Sequence, residues 1–330
     1  MSFPTTYSTL SPEALATYVG QRYGVGETRC RFLVRGVGDT YEVEATGTRF
    51  ILRIYRPTHR SYSQITAEVE LLLAANEAGV SVSYPIADTT GQYIQSFDAA
   101  EGERHAVLFS YAPGQPVAIL NEAQLQNFGR EMARFHNISS TIQLSDKRWS
   151  FDPETTLIKP LEAVKPYFAE LPEEYAWWQQ AAGITITRLA QFDPKNFSNG
   201  YCHFDFLPKN FHFDGDDPTF FDFDFLGYGW LVNDLMTFYV HLSLDAHFGR
   251  LTREAAAQAF DIFLTAYRKY RPLSDAEEEA IPWLIPGWWG FYMGFHASHD
   301  QFYPLVQPSQ LKARTALIRK LSPLTPPTTS

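Results

Sequence analysis

The apolar pattern divides the chain into a strand-rich first third and a helix-rich remainder. Ser11-Pro12-Glu13 sets a capping hydroxyl, a proline at the first helical position and an acid in the first turn. Leu15, Tyr18 and Val19 then share one face, which predicts a helix closed by Gly20 or Gly24. Apolar runs at residues 31–34, 41–44 and 49–55 predict three strands, with Gly36-Val37-Gly38-Asp39-Thr40 as the first turn. Residues 64–78 carry Ile65, Val69, Leu72 and Leu73 on one face, so a helix is expected there, ended by Gly79. Residues 80–86, 92–94 and 105–111 read as further strands, the last running into Ala112-Pro113-Gly114.

Helical spacing dominates afterwards. Leu125, Phe128, Met132 and Phe135 predict a helix over 121–137. His136 at its end is expected to be structural, favouring the helix dipole and bonding a last-turn carbonyl. Two helices separated by a proline-broken loop are expected over 157–171 and 175–192, a stretch with no evident chemistry that could wall an acceptor site. An apolar helix begins at Asn233-Asp234-Leu235, and another spans 253–270 with Ala256, Phe260, Phe263, Leu264 and Tyr267. A further helix starts over 275–283, and an aromatic segment runs from Trp288 to His296, followed by His299-Asp300. The tail, 323–330, is rich in Pro and Thr and is expected to be loose.

Composition narrows the class. With 330 residues, 45% of them hydrophobic, the chain can bury a large core as one domain of two lobes or as two domains. It has 26 Phe, 18 Tyr and 7 Trp, enough aromatic surface to line a pocket as well as a core. A net charge of −10 argues against nucleic acid as a partner. Cys30 and Cys202 make neither a disulfide framework nor a metal cluster. The N-terminus has no basic segment followed by an apolar one, and no apolar run is long enough for a membrane span. A cytoplasmic protein without membrane attachment is expected.

The chemistry concentrates between residues 201 and 235. Tyr201-Cys202-His203-Phe204-Asp205 leads through Asn210 into Phe211-His212-Phe213, then Asp214-Gly215-Asp216-Asp217-Pro218, then Thr219-Phe220-Phe221 and Asp222-Phe223-Asp224. The acidic Gly-Pro segment between two aromatic runs predicts a hairpin. Asp205 and Asn210 enter one arm and Asp222 leaves the other, so two carboxylates and an amide meet at one end. Oxygen ligands of this kind suit Mg²⁺ shared with phosphates. A carboxylate left free of metal can orient a hydroxyl and take its proton, as in kinase phosphoryl transfer. His203, Asp205 and Asn210 also have the spacing of a kinase catalytic loop.

This block resembles the catalytic segment of the aminoglycoside phosphotransferase and choline kinase-like family, most closely its homoserine kinase and stress-response kinase branch. The family pattern is His-Gly-Asp, four residues, Asn, then Asp-Phe-Asp, Gly-Tyr-Gly and a later Asp-Leu. It falls here on His203, Asp205, Asn210, Asp222 to Asp224, Gly227 to Gly229 and Asp234-Leu235. Phe204 stands where Gly is usual, and Lys209 where Gly is common. The resemblance implies an α+β, two-lobed, protein-kinase-like fold. Residues 1–111 would form a small antiparallel-sheet lobe with one helix, and 112–330 a larger, mostly helical catalytic and acceptor-binding lobe.

It also implies roles. Asp205 would be the base, with His203 supporting the loop backbone and Asp234 bracing it. Asn210 and Asp222 would hold Mg²⁺. Gly36 and Gly38 would lie in a turn that approaches the nucleotide, although by themselves they describe an ordinary hairpin. Arg53 interrupts an apolar strand, where a cation needs a partner or an anionic ligand. By resemblance it holds nucleotide phosphates and pairs with Glu68. Glu70, the other acid on that helix, projects about 200° away. Backbone of Phe109, Ser110 and Tyr111 would meet the adenine of ATP. Trp288, Tyr292, His296 and Asp300 would face the acceptor, with helix-packing core as the alternative for the aromatics. The implied activity is transfer of the ATP γ-phosphate to a hydroxyl of a small molecule such as homoserine, an amino sugar or another amino alcohol, by a monomer or homodimer. A protein Ser/Thr kinase and a catalytically inactive nucleotide-binding regulator stay open beside it. A metal hydrolase is disfavoured, because no second His-rich ligand set accompanies His203.

Overall fold

A computed structural model describes residues 3–146 and 148–324, so residues 325–330 of the expected loose tail lie outside the described residues. The chain forms two units, the first comprising Met1–Gly114 with Gln143–Lys147 and Thr219–Phe221, the second comprising the remainder. Together they make the α+β, kinase-like fold that the resemblance implies.

In the first unit, Ser11 Oγ accepts the Ala14 N–H at 3.3 Å and starts α1 (Pro12–Arg22). The helix ends at Tyr23, followed by Gly24 at φ 67°, a conformation glycine adopts at little cost. Strands β1 (Thr28–Arg35), β2 (Asp39–Ala45) and β3 (Thr48–Ile54) precede α2 (Tyr62–Glu77), and β4 (Ile94–Ala99) and β5 (Gly102–Ser110) follow it. The five strands form one antiparallel sheet in the order β1-β2-β3-β5-β4. Tyr41, Val43, Leu52, Ile54, Ala106 and Leu108 alternate onto one face and bury against Leu15 and Val19 of α1. A reciprocal capping box of Ser61 and Gln64 opens α2.

Residues 80–86, expected as a strand, are not one. Their backbone bonds are divided between two partners: Ser83 donates to the Phe220 carbonyl, while Ile86 donates to Leu108 and Ser110 donates to Tyr84. Pro85, which has no N–H, joins only through an isolated bridge to Phe109. Sequence also did not announce the buried Arg104, whose guanidinium reaches the carbonyls of Ser8 and Tyr55 and lies 3.5 Å from the buried Asp39.

The second unit contains α3 (Glu122–Ser139), β6 (Trp149–Phe151), α4 (Lys159–Val164), α5 (Pro172–Leu189), β7 (Asn199–Cys202), β8 (Phe211–Asp214), β9 (Asp217–Phe220), β10 (Gly227–Trp230), α6 (Val232–His247), α7 (Arg253–Arg268), α8 (Asp275–Ala297) and α9 (Pro308–Leu321). The last residues of β9 pass into the first unit. The hairpin expected around Gly215 is β8-β9, and β7 pairs with β10 in antiparallel register, Cys202 opposite Gly227. The Gly-Tyr-Gly motif is therefore a strand. The two segments expected at 275–283 and from Trp288 are one helix, α8, which runs through Pro282 and Pro286. Each proline removes a single N–H donor from the ladder, and the burial of Ile281, Leu284, Ile285, Met293 and Phe295 outweighs that loss. No helix among the described residues is long and apolar enough to cross a membrane.

Close helix contacts depend on glycine. A Cβ built on Gly129 of α3 would lie 2.4 Å from the Phe263 carbonyl and 3.0 Å from the Tyr267 nitrogen, both backbone atoms of α7. Gly129→Ala is therefore expected to destabilise the protein by about 1–3 kcal/mol through overpacking. Thermal unfolding checks this, and an unchanged midpoint would show that the two helices can part without cost.

Candidate active site

The loop that carries Asp205 leaves β7 at Cys202 and reaches β8 through a single turn of 3₁₀-helix, Pro208–Asn210. One carboxylate shapes it. Asp234, in the first turn of α6, is fully buried and accepts the N–H groups of His203 at 2.9 Å and of Phe204 at 2.6 Å. Two consecutive amides on one ionised acid make strong, charge-assisted bonds. Asp234 is held in turn by His136 Nε2 at 3.1 Å, and His136 Nδ1 meets the Tyr267 hydroxyl at 2.8 Å. Burial lowers the pKa of His136, although the Asp234 carboxylate works against that shift. A neutral ring donating from Nε2 leaves Nδ1 to accept from Tyr267. His136 is structural, as expected, but it braces Asp234 and does not cap its own helix.

Phe204 adopts φ 63°, the left-handed region in which glycine is at ease. A Phe there costs on the order of 1–3 kcal/mol. Packing offsets it: the ring stacks on Phe151 at 3.7 Å, meets Phe291 edge-on at 5.2 Å, and is 1% exposed. Its carbonyl accepts from Trp288 Nε1 at 3.1 Å. The loop thus keeps the turn that the usual glycine would make. Behind it lies a cavity of about 470 Å³, lined by Phe151, Phe204, Tyr228, Trp230, Asn233 and Trp288 among others, and not by Asp205.

Asp205 is 5% exposed, and its two oxygens differ. Oδ2 accepts from Asn210 Nδ2 and lies beside Lys209 Nζ, both at 2.8 Å. Oδ1 is buried without a hydrogen-bond partner. The Tyr292 hydroxyl stands close enough to influence the Asp205 carboxyl, yet Tyr292 Oη is also buried without a hydrogen bond of acceptable geometry. Burial raises the Asp205 pKa, and the Lys209 ammonium opposes the rise. Burial would lower the pKa of Lys209, but the Asp205 carboxylate, with Asp222 and Asp224, outweighs it and raises the value. His203 is buried, with Nδ1 accepting the Asp205 N–H at 3.2 Å, so it supports the loop and does not approach as a base.

Asn210 Nδ2 also reaches the Asp205 carbonyl at 2.8 Å. With two oxygens on one side, the amide must present nitrogen to them, which turns Oδ1 away. Asp222 comes just after β9 in a left-handed conformation, φ 61°, and opens the turn Phe223–Phe225. Asn210 and Asp222 thus flank the open end of the β8-β9 hairpin. An amide oxygen and a carboxylate are hard donors, and they fit a divalent ion that takes its remaining ligands from phosphates and water. Among the described residues no group of three or more His, Cys, Asp or Glu could hold an ion alone.

Arg148 was not singled out from sequence. It bonds the carbonyls of Phe223 and Asp224 and so fixes the turn after Asp222. Nothing in a lone loop arginine signals that role. Arg314 of α9 was also passed over, although its spacing from Leu311, Thr315 and Ile318 sets a cation on the inward side of that helix.

In the first unit, Arg53 stands opposite Thr40 and Val107 in the sheet, its guanidinium 5.6 Å from the Tyr55 ring. Glu68 is buried on α2, whereas Glu70 accepts the Ser145 N–H at 2.8 Å. Gly36 donates to the Gly38 carbonyl, and a Cβ on Gly38 would sit 2.5 Å from the Ile54 carbonyl, so this glycine serves the sheet. Phe109 pairs with Ile51, Ser110 exchanges bonds with Ser83 and Tyr84, and Tyr111 lies under Arg49 at 3.7 Å. In the second unit, Trp288, Tyr292 and His296 follow one another along α8. Trp288 is buried, with its N–H committed to Phe204. Asp300 lies beyond the helix, where its Oδ1 caps Gln301.

Removing the Asp234 carboxylate strands two loop amides. Asp234→Ala is expected to cost about 3 kcal/mol of stability, the scale of lost bonds to a charged group. Chemical denaturation checks this, and a loss below about 0.5 kcal/mol would show that the loop holds its shape without the acid.

Comparisons with known proteins bear on the family and the fold. A protein of Deinococcus radiodurans, itself uncharacterized, is 32% identical over 302 residues, 90% of this chain and 85% of that one. Among solved structures, the amicoumacin kinase hAmiN in complex with AMP-PNP, Ca²⁺ and Ami matches with a TM-score of 0.70 and 21% identity over 95% of this chain and 96% of its own. A microcompartment-associated aminopropanol kinase matches with a TM-score of 0.75 and 22% identity, covering 93% of this chain and 97% of its own. At such identities the structures speak for the fold alone, and the fold is kinase-like. The model of the phosphotransferase enzyme family, APH, matches residues 29–273, and the chain belongs to that family of kinases acting on small-molecule hydroxyl groups.

Proposed function

We propose that the protein transfers the γ-phosphate of ATP to a hydroxyl of a small molecule, with Asp205 as the base. The observation that carries this reading is the asymmetry of the Asp205 carboxylate. Oδ2 is fixed by Asn210 and Lys209, while Oδ1 is desolvated and unpartnered. A buried acceptor without a donor is costly unless function supplies one, and a substrate hydroxyl is a donor of the right kind. As the hydroxyl oxygen bonds to the γ-phosphorus, the bond to the β-phosphate oxygen breaks, ADP leaves, and the hydroxyl proton passes to Oδ1.

Most of the acceleration in such a transfer comes from positioning and charge. His203, Phe204 and Asp234 hold Asp205 in place. Asn210 Oδ1 and Asp222 would bind a divalent ion, Mg²⁺ by preference, that offsets phosphate charge. Arg53 and Glu68 would hold the nucleotide, with Gly36, Gly38 and the strand residues Phe109 to Tyr111 contributing backbone. The relative crystallised with AMP-PNP and Ca²⁺ supports nucleotide and metal use here. Phe204 and Lys209 do not favour an inactive regulator: the first preserves the loop conformation, and the second leaves Oδ1 untouched.

Asp205→Asn is expected to lower kcat by about 100- to 10,000-fold, the usual contribution of a general base, while Mg·ATP binding persists. Labelled phosphate transfer into a pool of small metabolites reads this, and full residual turnover would remove Asp205 from the role. Asp222→Ala should weaken metal-dependent nucleotide binding by at least about tenfold, the loss that even outer partners of a metal cause. Calorimetric titration of Mg·ATP decides it, with unchanged affinity excluding Asp222 as a ligand.

A further inference from the structure

Helices α8 and α9 meet beside the catalytic loop at polar side chains that phosphate transfer does not use. His296 lies one turn after Tyr292 on α8, with ring centroids 5.8 Å apart. Its Nδ1 is 3.1 Å from Arg314 Nη1 of α9. A guanidinium can only donate, so Nδ1 accepts and the ring proton sits on Nε2. Burial and the nearby charges of Arg314, Lys209 and His299 push the His296 pKa down to about 3, so the ring is neutral.

Arg314 is half-buried on the inward side of α9, between Leu311, Thr315 and Ile318, all of them buried. Among the described residues no carboxylate pairs with it. Other buried or half-buried arginines of the chain have acids: Arg104 has Asp39 and Glu101, and Arg130 and Arg134 share Glu131. The remaining N–H groups of Arg314 and the His296 Nε2–H thus form a set of donors with no anion. Taking a guanidinium from water without a counter-charge is unfavourable. Lys209, whose ammonium contacts Asp205, is among the cations that act on His296, and Tyr292 neighbours both the His296 ring and the Asp205 carboxyl.

We propose that Arg314 and His296 bind a carboxylate carried by the acceptor itself, so that the substrate is a hydroxy acid: its hydroxyl meets Asp205 and its carboxylate meets Arg314. This rests on the reading of Asp205 as the base. It separates the substrate from simple amino alcohols, which offer no anion to this end of the site. The arrangement is polar in the required sense, because an anionic group placed at Arg314 is kept away from Asp205 while the neutral hydroxyl approaches it. Arg314 is then a specificity residue supplied by the last helix.

The test offers ATP and a panel of short hydroxy acids, L-homoserine, glycerate and 3-hydroxybutanoate, each beside its primary amide. At least one acid should be phosphorylated with a kcat/KM about 10- to 100-fold above that of its amide, the range of a hydrogen bond to a charged group. Arg314→Gln should erase that preference through the acceptor KM and leave the KM for ATP unchanged. Arg314→Lys, which keeps the charge, should retain part of it. Amides used as well as acids by the wild type would overturn the proposal while leaving the kinase reading intact. A rise in the KM for ATP in Arg314→Gln, with the acid preference kept, would also overturn it by assigning Arg314 to a nucleotide phosphate. If no compound accepts phosphate, calorimetry with the same panel still decides. Acid binding abolished by Arg314→Gln would keep the carboxylate site and reject the base assignment; equal behaviour of acids and amides would reject the site.

Discussion

The structure of the second unit turns on the burial of one ionised carboxylate. Asp234 sits in the first turn of α6, where the helix dipole favours negative charge, and accepts two successive amides of the loop that carries Asp205. A bare carboxylate in an apolar interior would be untenable. The His203 and Phe204 amides, with His136 on the other side, make it tolerable, and they are in turn oriented by it. Removing any member exposes the others to a desolvation cost, so the group holds or fails together. Through it, α3, α6, α7 and the loop after β7 are joined at a single point.

That constraint explains how a phenylalanine can occupy a left-handed position next to Asp205. The carboxylate fixes the Phe204 amide, Trp288 fixes its carbonyl, and the Phe151 and Phe291 rings fix its side chain. The backbone is over-determined, which is the condition under which such strain persists. The outcome for Asp205 is directional. Asn210 and Lys209 use one oxygen, and the other stays buried without a hydrogen-bond partner. The rigidity of the loop at Asp205 and the unsatisfied oxygen of its carboxylate are two consequences of one set of bonds.

Helix α8 extends this arrangement along its length. One face is pared to glycine where Thr156 and Pro160 press in, with a Cβ on Gly290 falling 2.5 Å from the Thr156 carbonyl and one on Gly294 falling 2.7 Å from Pro160 Cα. Another presents Trp288, Tyr292 and His296 in succession. The first supports the loop, the second neighbours the Asp205 carboxyl, and the third meets Arg314. Residues that look alike in a list of aromatic and polar candidates therefore have different tasks, set by their height along one helix.

The sequence by itself determined the elements whose signals are local. The Ser11, Ser61 and Asn121 caps, the alternation of β2 and β3, the Asp-Gly turn of the β8-β9 hairpin and the spacing from His203 to Asn210 all depend on neighbours within a few residues. Residues 80–86 were misread because their hydrogen bonds go to Phe220, Leu108 and Ser110, partners that no local pattern names. The Gly-Tyr-Gly strand and the unbroken α8 were missed for the same reason: pairing with β7 and burial along the helix outweigh glycine and proline propensity. In the site, residue types and spacing made Asp205, Asn210 and Asp222 legible as a group, and the family resemblance added Asp234. Only the tertiary structure decided which Asp205 oxygen is left without a donor, that His136 braces Asp234, and that Arg314 arrives from the last helix without an acid. Those are questions of which polar groups remain unpaired once the chain is packed, and pairing between elements, whether across the 98 residues from His136 to Asp234 or the 18 from His296 to Arg314, leaves no periodic trace in the order of the amino acids.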